Sequence, residues 1–352
     1  MKRQLQRPSR FTPIALGLLL AAGATAAQAA ELTVVNFGGA NANAQKVAYV
    51  EPFEKSTGTK VVTAEFNGEL AKVKAMVEAK KVTWDVVEID GGDLNRACED
   101  GLIEKLDMAK TLKKNDFIPE SITSECGMGA FVWSTVLAYN GDKLKTAPSG
   151  WADFWDVKKF PGKRAMKKGA QYTLEFALMA DGVPTKDVYK VLNTKAGVDR
   201  AFKKLDQLKP NIQWWEAGAL PAQFLVAGDV VMSTAFNGRI DAAQREGKNL
   251  KVVWAGSVYT LDYWVIPKGS PNKALGEKFI SFATAPENQK VYANNIAYGP
   301  VNKNTLKMLD AKTLANLPTS AANAKDAIQL SQQFWTDHGE ELEQRFAAWV
   351  AK

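Results

Sequence analysis

The residues able to do chemistry in this chain are few and unevenly spread. Its single histidine, His338, stands in a terminal helical stretch with no serine or cysteine beside it to activate, so no Ser-His-Asp or Cys-His nucleophile can be assembled. No glycine-rich loop ends in Gly-Lys-Ser/Thr, and Gly38-Gly39 and Gly91-Gly92 lack the full dinucleotide-binding spacing. Two cysteines and one distant histidine cannot make a tetrahedral metal site of the usual kind, and no cofactor is expected. What remains is carboxylates beside glycines: Glu88, Asp90 and Asp93 gather around Gly91-Gly92. That pattern suits holding a ligand better than transforming one. A carboxylate-pair glycosidase, which needs two acids about 5–10 Å apart in a cleft, stays open as a minor alternative.

The elements that position these groups follow from hydrophobic periodicity. Leu32 to Phe37 reads as a short strand, broken by Gly38-Gly39 and followed by a helical pattern through Phe53. Lys60 to Phe66 is a second strand, rich in β-branched residues. Asn67 is expected to cap a helix carrying Leu70, Val73, Met76 and Val77. Trp84 to Asp90 is a third strand, and Gly91-Gly92-Asp93 opens the next helix. Strands alternating with helices imply a parallel or mixed sheet with covered faces, whose ligands sit beyond the carboxyl ends of strands. Those ends are Phe37-Gly38-Gly39 and Asp90-Gly91-Gly92. Residues 131–140 read as a long strand leaving this lobe. Later segments predict helices near 171–181, 185–193, 197–208 and 219–228, strands at 230–236, 250–254 and 259–267, and helices at 238–245, 273–284 and 324–350. The expected architecture is α/β with two lobes, crossed near 137–141, 260–264 and 305–312. Lobe 1 takes residues 30–138 and 263–308; lobe 2 takes 139–262 and 309–352.

The amino terminus carries a basic start (Lys2, Arg3, Arg7, Arg10), an apolar run from Ile14 to Ala27, and the small-x-small triplet Ala27-Gln28-Ala29. This predicts a cleavable signal peptide over residues 1–29 and a periplasmic product. No cysteine precedes Cys98, so no lipid-anchor cysteine is available. The formal charge of +7 falls to about +3 once those four basic residues are removed. A nucleic-acid role therefore has no support. Lys158, Lys159, Lys163, Arg164, Lys167 and Lys168 read as a solvated loop. In an oxidising compartment, Cys98 and Cys126 are expected to form a disulfide.

Four stretches carry a resemblance. They are Pro148-Ser149-Gly150-Trp151-Ala152-Asp153-Phe154-Trp155 with Phe160-Pro161-Gly162-Lys163, Phe53 to Gly58, Trp84 to Val87, and Asp262 to Pro267 with Ile296 to Pro300. In this order they resemble bacterial extracellular solute-binding proteins of ABC importers, the spermidine/putrescine-binding branch. The resemblance implies a two-lobed periplasmic binding protein fold (type II-like) that closes on its ligand by a hinge motion. It also implies a membrane permease as partner. The protein is expected to be a monomer, and a chemosensory module of the same fold is an alternative.

The resemblance also implies a ligand set. Asp262 matches the aspartate that holds a ligand amine; Phe236, Tyr298 and Tyr259 match aromatic walls, and Phe37 stands at the first strand end. Trp214, Trp215 and Trp264 read as core. Asp90 is added from the glycine-flanked carboxylates. The chain departs from the polyamine pattern after the Pro-Gly-Lys loop, where Gly169 and Tyr172 stand in place of acidic residues. It offers Arg239 instead. An arginine facing Asp262 suits a zwitterion such as 4-aminobutyrate, whose carboxylate it would fork. Two of Glu88, Asp90 and Asp93 facing the cleft would favour putrescine.

Overall fold

A computed structural model describes residues 30–107 and 112–352. The expected signal peptide, residues 1–29, lies outside the described residues. Ten strands form one sheet: β1 (Glu31–Asn36), β2 (Lys60–Glu65), β3 (Val86–Asp90), β4 (Gly127–Asn140), β5 (Arg164–Lys167), β6 (Ile212–Trp215), β7 (Met232–Phe236), β8 (Leu250–Val265), β9 (Gly299–Pro300) and β10 (Ile328–Gln329). Their order is β2-β1-β3-β8-β4-β7-β5-β6, with β10 beside β8 and β9 beside β4. Parallel pairs lie at both ends of this order, β1 with β2 and β3, β5 with β6 and β7. Helices supply the crossovers these parallel pairs require.

The two long antiparallel strands hold the ends together. β4 is buried almost throughout, as its run of apolar and small residues requires. Its first half pairs with the end of β8 that reaches β3, and its second half with the start of β8 and with β7. The β4–β8 register shifts between Gly129 and Phe131 and again between Thr135 and Leu137. Each shift leaves the ladder locally disrupted there.

The strands expected at 250–254 and 259–267 are one strand, β8. Residues 254–257 bulge out of register opposite Thr135–Leu137, and Gly256 (φ 69°) takes the left-handed turn there. The indole N–H of Trp151 donates to the Gly256 carbonyl at 2.8 Å. Asn67 does not cap the next helix. That helix begins at Leu70, and the Asn67 backbone N–H donates to the Glu69 carboxylate at 3.2 Å. The helix expected from 324 starts at Gln332, because Ile328 and Gln329 pair with β8. Leu309 and Leu317 pack on Ala293 and Ala297. The stretch from 303 to 317 thus stays with the 286–297 segment, and the chain meets β8 from the helix Ala321–Ala324 onward, later than the expected crossing at 305–312.

Trp215 and Trp264 are core residues, 1% exposed each. Trp214 packs edge-on against Phe346 and Trp349 of the terminal helix. The basic loop differs from its expected solvated state at one position: Arg164 is fully buried and donates to the carbonyls of Phe154 (2.8 Å), Gly162 (2.7 Å) and Asp156 (3.2 Å). Burial lowers its pKa to about 10. Among the described residues no helix is long and apolar enough to cross a membrane.

Cys98 and Cys126 form a disulfide, with Cα atoms 5.8 Å apart, joining the helix after β3 to the start of β4 across 28 positions. Chain-entropy arguments assign a loop of this length about 3.5 kcal/mol. The Cys98→Ser, Cys126→Ser double variant is expected to unfold at lower urea by that order, measured at equilibrium; an unchanged midpoint would contradict this.

Candidate ligand cleft

Side chains alternate along β3, so Glu88 and Asp90 share one face. Antiparallel pairing sets Asp90 opposite Asp262 on β8. Phe131 on β4 also stands opposite Asp262, and Trp133 follows on the same face. The Trp133 indole N–H donates to Asp262 Oδ1 at 2.7 Å. Three carboxylates and two aromatics thereby converge where the lobes meet.

Glu88 is fully buried and heavily solvated by protein groups. Asn41 Nδ2 donates to both its oxygens, at 2.9 and 3.0 Å, and the Gln45 amide donates as well. The Tyr292 hydroxyl donates to Asn41 Oδ1 at 2.6 Å, fixing the amide's orientation. Asp262 stands near Glu88, whose charge raises its pKa. Two neighbouring buried carboxyls resist being ionised together. Burial raises the pKa of all three acids. Asp262 is pushed well up, by burial first and then by the charges of Glu88 and Asp90. Glu88 is held back by its hydrogen bonds and by the charge of Arg239.

The opposite wall comes from the helix Asn237–Arg245, which starts where β7 ends. Its Arg239 reaches across to β1's end, where Nη2 donates to the Gly38 carbonyl at 3.3 Å. Gly38 (φ 70°) and Gly39 (φ 60°) make this approach feasible, since a Cβ on Gly39 would collide with the guanidinium. Asp241 pairs with Arg245 at 2.6 Å, so it does not draw Arg239 away. Tyr298 stacks on Phe131, with ring centroids 4.9 Å apart, and lies against Gly238. Phe236 packs edge-on against Trp133 at 5.0 Å and Trp215 at 5.3 Å.

Asp262, Arg239, Phe236, Tyr298 and Asp90 thus gather in one place. Asp90 also caps the helix Gly91–Glu99, accepting from the Gly92 N–H at 2.8 Å. Two expected members stand apart. Tyr259 is three positions from Asp262, so the alternation of β8 turns it to the other face, toward Glu120 and beside β10. Phe37 stacks on Phe66 at 5.2 Å, and Phe66 packs on Trp84, so its ring belongs to the core of the first strands. Asp93 is partly exposed and pairs with Arg96 at 2.5 Å.

Sequence reasoning passed over several residues. Trp133 was hidden in an apolar strand, and Asn41, Gln45 and Tyr292 carry no motif. Lys167, placed in the solvated loop, lies over the Tyr172 ring at 5.5 Å. An acidic residue does follow the Pro-Gly-Lys loop: Glu175, fully buried, accepts from the Trp335 indole at 2.8 Å and the Tyr189 hydroxyl at 3.0 Å.

Comparison with known proteins follows this geometry. Residues 48–322 match the family model described as bacterial extracellular solute-binding protein. A Gamma-aminobutyric acid-binding protein of Pseudomonas aeruginosa is 57% identical over 342 residues, 97% of each chain. A solved GABA receptor superposes with a TM-score of 0.81 at 35% identity, covering 92% of this chain and 98% of its own. An ABC transporter substrate-binding protein from Bradyrhizobium japonicum superposes with a TM-score of 0.84 at 37% identity, covering 91% and 99%.

Burial raises the Glu175 pKa to about 7. The folded state then holds a proton that the unfolded chain releases near pH 4.5, so this stabilisation is full below about pH 4.5 and is lost as pH rises to about 7. Relative to Glu175→Gln, the protein is expected to lose about 3 kcal/mol across that window. Urea unfolding at pH 4.5 and 7.5 reads this, and equal losses in both proteins would refute it.

Proposed function

This chain belongs to the bacterial extracellular solute-binding protein family, and on that premise we propose that it captures 4-aminobutyrate, or a closely similar linear ω-amino acid, between its lobes. The observation that carries this reading is Arg239 reaching over Gly38 toward the side of the cleft that holds Glu88, Asp90 and Asp262. A polycation gains nothing from a guanidinium in its path. A zwitterion gains at both ends: Arg239 forks the carboxylate, and Asp262 with Asp90 takes the ammonium. Phe236 and Tyr298 flank the methylene chain. The name of the Pseudomonas aeruginosa relative agrees with this assignment.

Putrescine is the second reading, favoured by Glu88 and Asp90 standing with Asp262. Those acids converge on one point, however, and Glu88 is already engaged by Asn41 and Gln45. A diamine needs an acid at each end, and the other end of this cleft offers arginine.

Capture is by lobe closure around the interrupted middle of β4 and β8. In this reading the closed form, released to the periplasm after removal of residues 1–29, delivers its ligand to an inner-membrane permease of an ABC importer. It binds without turnover, as a monomer. Receptor docking for chemosensing uses the same closed form, and it would show as binding to a receptor sensory domain.

A thermal-shift screen of 4-aminobutyrate, putrescine, spermidine and common amino acids tests the assignment. At a hundredfold excess over Kd, 4-aminobutyrate is expected to add about 2.7 kcal/mol of stability. A shift with putrescine and none with 4-aminobutyrate would reverse the order of the two readings. Arg239→Ala is expected to weaken 4-aminobutyrate binding about a hundredfold in calorimetric titration, the worth of a charged paired hydrogen bond. Unchanged affinity would remove the zwitterion argument.

A further inference from the structure

Tyr172 is one of two non-glycine residues with positive φ among the described residues, at 71°. A side chain in that conformation persists only where its surroundings over-determine it, and such outliers gather at functional sites. The surroundings here come from far along the chain. The backbone N–H of Ala170 donates to both oxygens of Glu343, each at 3.0 Å, and the N–H of Gln171 donates to Oε1 at 3.2 Å. Glu343 belongs to the terminal helix Gln332–Val350. From the other side, the Tyr172 carbonyl accepts the first bond of the helix Thr173–Ala180, from the Phe176 N–H at 3.0 Å. The turn 169–172 is thus gripped at both ends.

The Tyr172 ring on this strained backbone is buried beside Trp133. It lies 6.1 Å from Trp133, with Lys167 Nζ 5.5 Å from its centroid. Its hydroxyl is buried and has no hydrogen-bond partner among the described residues. The acids whose charge it feels include Asp90, Glu175 and Asp262. A buried hydroxyl left unpaired costs free energy unless something arrives to use it.

A primary ammonium has three N–H donors and needs three acceptors. Trp133 already donates to Asp262 Oδ1 and Gly92 to Asp90 Oδ1, so each acid presents its other oxygen to a ligand. We propose that the Tyr172 hydroxyl is the third acceptor of the ligand's ammonium, and that Glu343 is the positioning residue that holds it there. This rests on the amine-ligand reading above. It makes a surface carboxylate on the terminal helix a determinant of affinity without touching ligand.

Calorimetric titration of 4-aminobutyrate into the full mature chain tests it, with wild type, Tyr172→Phe, Glu343→Ala and the double variant. Tyr172→Phe is expected to weaken binding about tenfold, as loss of one hydrogen bond to a charged group does, with its urea midpoint unchanged or raised. Glu343→Ala is expected to weaken binding by a similar factor, with little added loss in the double variant, and Glu343→Gln to recover part of it. Wild-type affinity in Tyr172→Phe would overturn the proposal. So would a Glu343→Ala loss that persists undiminished in the Tyr172→Phe background, or one confined to the urea midpoint. A wild type that binds no 4-aminobutyrate sinks the functional reading itself, a result distinct from variants that bind as well as wild type.

Discussion

One buried pair of acids sets the terms for the rest of this molecule: Glu88 on β3 and Asp262 on the adjacent β8. Two carboxyls so placed cannot both be ionised, and neither is stable without donors. The amides of Asn41 and Gln45 and the Trp133 indole serve that need. They come from a helix and a strand far apart in sequence, joined around a polar point inside an apolar sheet. An arriving ammonium would supply the counter-charge these acids lack, which links occupancy of the cleft to their ionisation.

That point sits at the middle of the sheet for a mechanical reason. β4 and β8 run through both lobes, and their pairing breaks register on either side of the 131–135 segment. Phe131 and Trp133 lie on that same short segment, and Asp262 is opposite it. The breaks in register and the residues nearest Asp262 thus fall on one short segment. Gly38 and Gly39 meet Arg239, and Gly238 meets Tyr298, at the places where the two walls come nearest. Bulkier residues there would hold the walls apart.

The sequence was most informative where one residue type has one physical use. Glycines after β1 and β3 marked the strand ends at the cleft, and the two cysteines marked a disulfide. It was least informative where a residue's role depends on which way it points. Tyr259 looked equivalent to Tyr298, yet strand parity turns it from Asp262. Arg164 looked like one more surface cation, but it is buried on three carbonyls. Phe37, half-buried, stacks on Phe66 of the first strands. The two short strands near 250 and 260 proved to be one, because a glycine-centred bulge breaks the period that reveals a strand.

The sequence by itself determined the lobed α/β architecture and the family, because periodicity, turn residues and motif order are local and survive without coordinates. Tertiary structure alone decided which groups meet Asp262. Glu88 lies 174 positions before it and Trp133 lies 129 before it, and antiparallel pairing is what brings them together. A pKa raised by a neighbouring charge, a hydroxyl left without a partner and an arginine that reaches across a cleft are properties of distances between lobes. No spacing along the chain encodes them.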